Sequence, residues 1–468
     1  MPTSRPFAYN TGSTLSGTVQ YGNLAVLTGD TLPSGVQWWM GPDEDLGYVI
    51  AAENAAGNQP NPSNIPAYVG FYRTSSFSDT EFLQWANTIT GQNFGSANDA
   101  RDYLFANGYW TSFSGTPVSF QMINGGYYSS YYIDDNGILY TWGSNLSGEL
   151  GDNTTTNRLT PVAVCGGLTF SQISGGYYSS LGITTTGIAY AWGNNELGGI
   201  GDDTTVNKST PVAVCGGLTF SQISAGLFQS LGITTTGIAY AWGGNGEGQL
   251  GDDTTNNKST PVAVCGGLTF SQISGGNFHS LGITTTGVAY AWGNNGNGRL
   301  GNGTTVNVST PVAVCGGLTF SQISAGNNYS LGITTTGVAY GWGYNFNGQL
   351  GNDFTTTNQT TPVEVCGGLT FSQISAGNGH SLGLTTTGVA YAWGRNNYGQ
   401  LGDNSIVSRL TPVAVCGGLT FSQISTGEDY SLGITTTGIA YAWGYNFFGQ
   451  LGDNSIVSRL TPVQVCSI

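Results

Sequence analysis

Short runs of β-branched and aromatic residues, separated by clusters of Gly, Asn, Asp and Thr, fill the chain from about residue 117 onwards. Each run is short and bounded by turn-forming residues, which predicts a strand, and no helical period links the runs. One unit shows the arrangement most clearly, with predicted strands at 269–274, 280–284, 288–292 and 310–315. We therefore expect each unit to be a sheet of four antiparallel strands.

The unit repeats with a period of 50 residues, once stretched to 51. Each copy ends on Pro-Val-x-Val-Cys, and its cysteines are Cys165, Cys215, Cys265, Cys315, Cys366, Cys416 and Cys466. Trp-Gly pairs follow the same period at Trp142, Trp192, Trp242, Trp292, Trp342, Trp393 and Trp443. A four-stranded unit of this length repeated seven times predicts an all-β fold, a seven-bladed β-propeller over residues 117–468.

The two ends of the repeat region predict how the ring closes. The first unit begins near Val118 without a matching Pro-Val-x-Val-Cys strand before it, whereas the chain ends on one at 461–466. We expect this C-terminal strand to complete the first blade, because closure removes the open sheet edges that invite aggregation.

Neither the cysteines nor the loop acids indicate a metal or catalytic site. An odd number of cysteines at equivalent positions is no disulfide framework, and we expect small, buried, reduced core residues. The spacing of the loop aspartates matches no EF-hand, and Asn302 interrupts the series, so turn formation is the better explanation. We predict no enzyme activity, no cofactor and no metal.

The residues of the unit resemble a known family. The run Ser-Ala-Gly-Asn-x-x-Ser-Leu-Gly-Ile-Thr-Thr-Thr-Gly-Val-Ala-Tyr-x-Trp-Gly-x-Asn-x-x-Gly-Gln-Leu-Gly is similar to the repeat of the regulator of chromosome condensation family, over about residues 117–466. The resemblance implies a seven-bladed propeller, and functions that range over guanine-nucleotide exchange, chromatin binding, enzyme inhibition and protein binding. The family often has His before the Ser-Leu strand, which only His279 and His380 match here.

Differences between the units collect in two segments, the turn after the first strand and the start of the loop after Trp-Gly. Strand alternation places both on one face of the disc and the uniform Thr-Thr-Gly and Cys-Gly-Gly turns on the other. The differing residues are mostly Tyr, Phe, Asn, Gly and Ser, a composition typical of binding loops, although drift after duplication is the alternative. The predicted partner-binding residues are Tyr127, Tyr128, Tyr177, Tyr178, Phe228, Phe278, His279, Tyr329, His380, Tyr430, Tyr344, Phe346, Arg395, Tyr398, Tyr445, Phe447 and Phe448.

Residues 1–116 contain no repeat and predict a separate small α+β domain. Ser78-Asp79-Thr80-Glu81 has the pattern of a capping box that opens a helix to about Thr90, and a second helix is predicted from Ser96 to Ala106. Pieces such as Trp38-Trp39-Met40-Gly41-Pro42-Asp43 are similar to N-terminal segments of marine bacteriophage structural proteins. That resemblance implies an attachment domain. The alternative is a domain that packs on the propeller and only stabilises it.

Composition narrows the function classes. Charged residues make up 7% and the net charge is −15, with two lysines, so a basic surface for nucleic acid is excluded. No apolar run could span a membrane or serve as a secretory signal. We predict a virion tail or fibre protein, assembled in the host cytoplasm as a homo-oligomer. Its N-terminal domain would bind other virion proteins, and its propeller a host surface glycan or protein. The alternative is a cellular propeller that binds or inhibits a protein partner. A guanine-nucleotide exchange factor is a less favoured form of this alternative.

Overall fold

The computed structural model describes residues 122–353 and 356–466 in full, and the backbone of six short strands before them. The chain divides into two compact units, Met1–Pro117 and Val118–Ile468. In the part of the chain that is described, all regular elements are strands, and no helix is long and apolar enough to cross a membrane.

The strands of the N-terminal unit form a sheet and a separate hairpin. Antiparallel pairing joins β1, β4, β5 and β6 in that order, and β2 pairs with β3. The six strands are β1 (Arg5–Phe7), β2 (Val19–Tyr21), β3 (Leu24–Val26), β4 (Val36–Gly41), β5 (Tyr48–Glu53) and β6 (Val69–Phe71). The two predicted helices, 78–90 and 96–106, lie outside the described residues.

The second unit contains seven four-stranded sheets, each formed by four strands that follow one another in the chain. Blade 1 has β7 (Met122–Gly125), β8 (Ser129–Ile133), β9 (Leu139–Gly143) and β10 (Arg158–Ala163). Blade 2 has β11 (Phe170–Gly175), β12 (Ser179–Thr184), β13 (Ala189–Gly193) and β14 (Lys208–Ala213). Blade 3 has β15 (Phe220–Ala225), β16 (Gln229–Thr234), β17 (Ala239–Gly243) and β18 (Lys258–Ala263). Blade 4 has β19 (Phe270–Gly275), β20 (His279–Thr284), β21 (Ala289–Gly293) and β22 (Val308–Ala313).

The remaining blades repeat this arrangement. Blade 5 has β23 (Phe320–Ala325), β24 (Tyr329–Thr334), β25 (Ala339–Gly343) and β26 (Gln359–Glu364). Blade 6 has β27 (Phe371–Ala376), β28 (His380–Thr385), β29 (Ala390–Gly394) and β30 (Arg409–Ala414). Blade 7 has β31 (Phe421–Thr426), β32 (Tyr430–Thr435), β33 (Ala440–Gly444) and β34 (Arg459–Gln464). The predicted all-β seven-bladed propeller of four-stranded blades is confirmed.

The predicted closure by the C-terminal strand is wrong. β34 pairs antiparallel with β33 of its own blade, with Val463 opposite Ala442, and blade 1 has its own fourth strand, β10. The ring closes instead through side chains and loops between blades 7 and 1. The Trp142 indole donates to the Gln450 carbonyl at 2.9 Å, and the Tyr430 hydroxyl donates to the Ser129 carbonyl at 2.7 Å. The number of strands was predicted correctly from the sequence, but the strand with which the last strand, β34, pairs was not.

The core lies between neighbouring blades. The Trp of every blade is fully buried and packs against the second and third strands of the blade before it. In the closing interface, Trp142 packs with Leu432, Leu451 and Val465 of blade 7. The glycine of the long loop allows this approach: a Cβ on Gly151 would lie 2.8 Å from the Trp192 indole nitrogen, and its φ is +69°. Side chains of this size account for most of the burial energy, at about 25 cal/mol per Å².

The loop aspartates fasten the long loop to itself. Asp152 accepts hydrogen bonds from the Asn145 side-chain amide and the Thr154 backbone, and Arg158 pairs with it at 2.6 Å. The residue after it, Asn153, has a φ of 61°, a left-handed conformation that Asn and Asp tolerate. The predicted role in turn formation therefore matches these contacts.

The seven cysteines are free, but they are half-buried, and the fully buried position that we expected for them is wrong.

Candidate functional site

The two variable segments of each blade meet on one face, which we call the variable face. In blade 1 the Ser144 amide, after Trp-Gly, donates to the Tyr128 carbonyl of the turn at 2.9 Å, and Tyr344 does the same to Asn328 in blade 5. On the opposite face the Phe220 amide donates to the Gly187 carbonyl, which joins the Cys-Gly-Gly return to the Thr-Thr-Gly turn. The separation of variable and uniform turns predicted from strand alternation is confirmed.

The first turn residue of every blade lines a central cavity of about 170 Å³, to which all seven blades contribute. We call these seven residues the axial ring, and they are Tyr127, Tyr177, Leu227, Asn277, Asn327, Asn378 and Glu428. Below them the wall consists of glycines and small polar residues such as Ser174 and Ser375. Two of the predicted binding residues, Tyr127 and Tyr177, belong to this ring.

Most of the other predicted aromatic residues form one continuous chain of ring contacts, the aromatic arc. Tyr177 contacts Tyr127 at 3.8 Å between centroids, Tyr128 contacts Phe448 at 4.8 Å, and Tyr445 contacts Tyr398 at 4.7 Å. The arc consists of Phe278, Phe228, Tyr177, Tyr178, Tyr127, Tyr128, Phe448, Phe447, Tyr445 and Tyr398. Phe447 is 62% exposed. Tyr344 and Phe346 of blade 5 form a separate stacked pair, and Phe346 is 67% exposed.

For four of the predicted binding residues, the prediction is wrong because their side chains are buried. His279, Tyr329, His380 and Tyr430 are each 0% exposed, so a partner cannot contact them. They occupy the third turn position, which points into the next blade. The His380 ring nitrogen lies 3.0 Å from the Ser431 hydroxyl, and the Tyr329 hydroxyl donates to the His380 carbonyl. Burial and the nearby Arg395 lower the pKa of His380 to about 3, so the ring is neutral and joins blades together.

A charged cluster interrupts the aromatic face between blades 6 and 7. The Arg395 guanidinium pairs with the Asp429 carboxylate at 3.2 Å and lies over the Tyr398 ring at 5.9 Å. The Gln400 side-chain amide also donates to Asp429. Burial, with the adjacent Asp429, raises the pKa of Glu428 to about 8. Of the charged residues in this cluster only Arg395 was predicted, because the composition typical of binding loops favours aromatic residues over acids such as Glu428 and Asp429.

The amides of the axial ring also escaped the prediction. Asn277, Asn327 and Asn378 occupy successive blades, and the side-chain amide of each donates to the oxygen of the next residue in the ring. The repeat itself indicates such a ring of residues, because a turn position that recurs in every blade of a closed ring must surround the axis. A single turn, considered alone, shows only an ordinary Asn before a strand.

The sequence model of the regulator of chromosome condensation (RCC1) repeat matches most of the propeller. The matched segments are 136–183, 186–233, 236–283, 286–333, 336–384, 387–434 and 437–468. A second model of the same repeat matches six segments between 170 and 450. The chain belongs to the RCC1-repeat family. The resemblance stated from the repeat residues is thereby confirmed.

Solved RCC1-type propellers have the same fold at low sequence identity. Human WBSCR16 matches with 21% identity and a TM-score of 0.64, covering 70% of this chain and 94% of that one. Prp20p from Saccharomyces cerevisiae, described with its binding to Gsp1p and histones, matches with 23% identity and a TM-score of 0.64, covering 72% and 88%. Yeast RCC1 (Prp20) bound to Kap60 matches with 21% identity and a TM-score of 0.64, covering 76% and 90%.

The family matches begin at residue 136, so they give no support to the bacteriophage resemblance of residues 1–116. The virion role, its structural partners and its host-surface ligand also gain no support from the RCC1-repeat matches. The repeats establish the scaffold, and the function has to be argued from what this scaffold presents on its variable face.

Proposed function

We propose that the chain is a non-enzymatic protein-binding propeller that engages its partner through the variable face. The observation that carries this proposal is the aromatic arc, a connected set of Tyr and Phe rings across six blades, with Phe447 largely exposed. Rigid aromatic side chains lose little conformational entropy on binding and dominate interface energetics. The blades below hold the arc in place.

The relatives support binding of proteins over the virion role. Prp20p is described as binding Gsp1p and histones, and yeast RCC1 as bound to Kap60, so propellers of this family serve as protein-binding scaffolds. The proposal takes from them the class of ligand and nothing about its identity. The net charge of −15 favours a partner surface with positive charge, since complementary charge speeds association.

The test begins by identifying a partner through crosslinking mass spectrometry on the full chain, and continues with titration of that purified partner. Replacing Tyr344, Phe346, Tyr445, Phe447 and Phe448 by Ser should weaken binding at least 100-fold, because anchors of this kind each contribute about 1–4 kcal/mol. The far-ultraviolet circular dichroism spectrum and the thermal midpoint of the variant show whether the fold survives.

A matched control uses exposed aliphatic residues of the opposite face. Ile188, Ile238 and Ile439 are 37–43% exposed, beside the Thr-Thr-Gly turns. Their replacement by Ser removes a similar kind of surface and should leave binding within a factor of two. Equal loss in both variants, or no loss in the aromatic one, would reject the variable face as the binding surface.

A further inference from the structure

The axial ring divides into an apolar half and a hydrogen-bonding half. Tyr127, Tyr177 and Leu227 form the first, in blades 1 to 3, and the Asn residues with Glu428 form the second, in blades 4 to 7. All seven occupy the equivalent turn position of their blades and line the same cavity, so a ligand entering along the axis meets both halves. Such an opening favours a ligand that is itself half apolar and half polar.

The hydrogen bonds of this half run in one direction around the ring and end at Glu428. Asn277 donates to Asn327, Asn327 donates to the Asn378 oxygen at 2.6 Å, and Asn378 donates to the Glu428 carboxyl at 2.5 Å. On its other side the Glu428 backbone amide donates to the Tyr127 carbonyl at 3.2 Å. Glu428 is therefore anchored to both neighbouring blades, with its carboxyl group beside the last amide of the ring.

The described lining of the cavity contains one acidic residue and no cation. Among the described residues that line it, Glu428 alone is acidic, and none is Lys, Arg or His. Arg395, the cation of the neighbouring cluster, is paired with Asp429. Glu428 is 9% exposed, so its ionised form lacks full hydration, and the nearby Arg395 is paired with Asp429. A cationic ligand would supply a counter-charge within the cavity itself.

We propose that the axial ring binds a protonated primary amine on an aliphatic stem, the chemistry of a lysine side chain, with the ammonium group at Glu428. The stem would pack against Leu227 and Tyr177, and the Tyr127 ring offers a cation–π contact. A divalent metal fits less well, since the described residues contain no group of three metal-ligating acids, His or Cys. This inference deepens the proposed function, because a partner's lysine is the natural source of such a group.

Affinity for an amine at the proposed site should depend on pH. With its pKa near 8, Glu428 is largely protonated at pH 7, so an arriving ammonium must displace that proton. The other charged or titratable groups that act on Glu428 are Arg395 and Asp429, which pair with each other, and the Tyr127 and Tyr128 side chains. Affinity should therefore rise about tenfold per pH unit up to pH 8 and then level off, because the amine stays protonated to about pH 10.

The experiment is calorimetric titration of the full chain with Nα-acetyl-lysine methylamide, cadaverine and the uncharged Nα-acetyl-norleucine methylamide. We expect the amines to bind with proton release, and the norleucine compound to bind at least tenfold more weakly. Binding of the lysine compound identifies a protein side chain as the source, and binding of cadaverine alone identifies a free diamine. Absence of amine binding, or equal binding of the norleucine compound, overturns the inference.

The matched variants are Glu428→Gln and Glu149→Gln. Glu149 is also a buried glutamate of a variable-face loop, 1% exposed, but it does not line the cavity. Glu428→Gln should weaken amine binding at least tenfold and remove proton release, and Glu149→Gln should change neither. If amine binding is absent but the five-residue aromatic variant still loses the protein partner, the inference fails and the proposed function stands.

Discussion

At the residue scale, one position of the repeat has a different chemistry in blade 4 from that in most other blades. Arg299 occupies the position that Gln249, Gln349, Gln400 and Gln450 occupy in other blades. It is 4% exposed, and two of its guanidinium nitrogens, Nε and Nη1, have no hydrogen-bond partner among the described residues. Burial lowers its pKa to about 10, against the attraction of Glu247. A buried charge with unmet donors is costly.

We therefore expect Arg299→Gln to stabilise the protein by about 1–3 kcal/mol. Urea unfolding, followed by tryptophan fluorescence, measures the change in midpoint. Arg395→Gln serves as the control, because that guanidinium is paired with Asp429 and its removal should destabilise. A lower midpoint for Arg299→Gln would show that its charge is compensated in solution.

Glu428 gives a stability that depends on pH. Its pKa is about 8 in the folded protein and about 4.3 in an unfolded chain, so the folded state holds the proton more tightly. Stability from this group is complete below about pH 4 and is lost as pH rises towards 8. Glu428→Gln should raise the thermal midpoint at pH 9, on the order of several degrees, and leave it unchanged at pH 4. A difference that is the same at both pH values would refute this assignment.

At the element scale, the sequence predicts strand positions well and strand pairing less well. The predicted strand 288–292 corresponds to β21 (Ala289–Gly293), and 280–284 to β20 (His279–Thr284), because β-branched runs between glycines leave little choice. The partner of β34 could not be deduced, since a fourth strand completes either blade equally well in a repeated pattern. The buried direction of His380 and Tyr430 also depends on the neighbouring blade, whose contacting residue lies 51 residues away in the chain for His380 and 301 residues away for Tyr430.

The pairing of β34 can be tested by crosslinking. Ala442→Cys with Val463→Cys places two thiols at paired positions of β33 and β34, within the Cα separation that a disulfide requires. We expect oxidation to link them as completely as Ala392→Cys with Val413→Cys, the equivalent pair in blade 6. Peptide mapping by mass spectrometry identifies the linked peptides. A disulfide in blade 6 but none in blade 7 would support the alternative in which the C-terminal strand completes blade 1.

At the scale of the whole molecule, the ring depends on seven interfaces, of which one has no connecting peptide. Blades 7 and 1 are held by Trp142, Tyr430 and the contacts around Val465. Across each of the other six interfaces a Cys-Gly-Gly return joins the two blades covalently. Opening of the closing interface therefore separates the two ends of the ring, whereas opening of another leaves its blades tethered.

Tyr430→Phe and Tyr329→Phe form a matched pair for this difference. Each removes one buried hydroxyl that donates to a carbonyl of the next blade, Ser129 and His380 respectively, at a cost of about 1 kcal/mol. We expect similar losses of global stability, but faster hydrogen exchange in β7 and β31 only for Tyr430→Phe. Equal exchange in both variants would mean that the covalent connection adds nothing to ring integrity.

The contiguity of each blade has a consequence for how such a protein can be rearranged. Each of the six Cys-Gly-Gly turns lies between the last strand of one sheet and the first strand of the next, so at these places the boundary of the sequence repeat coincides with the boundary of the sheet. Recombination between two of these turns removes or adds a whole blade without dividing any sheet. Each blade takes its two variable-face segments with it, and the buried Trp that packs on the neighbouring blade is present in every blade. The binding face can therefore be reassembled from intact modules.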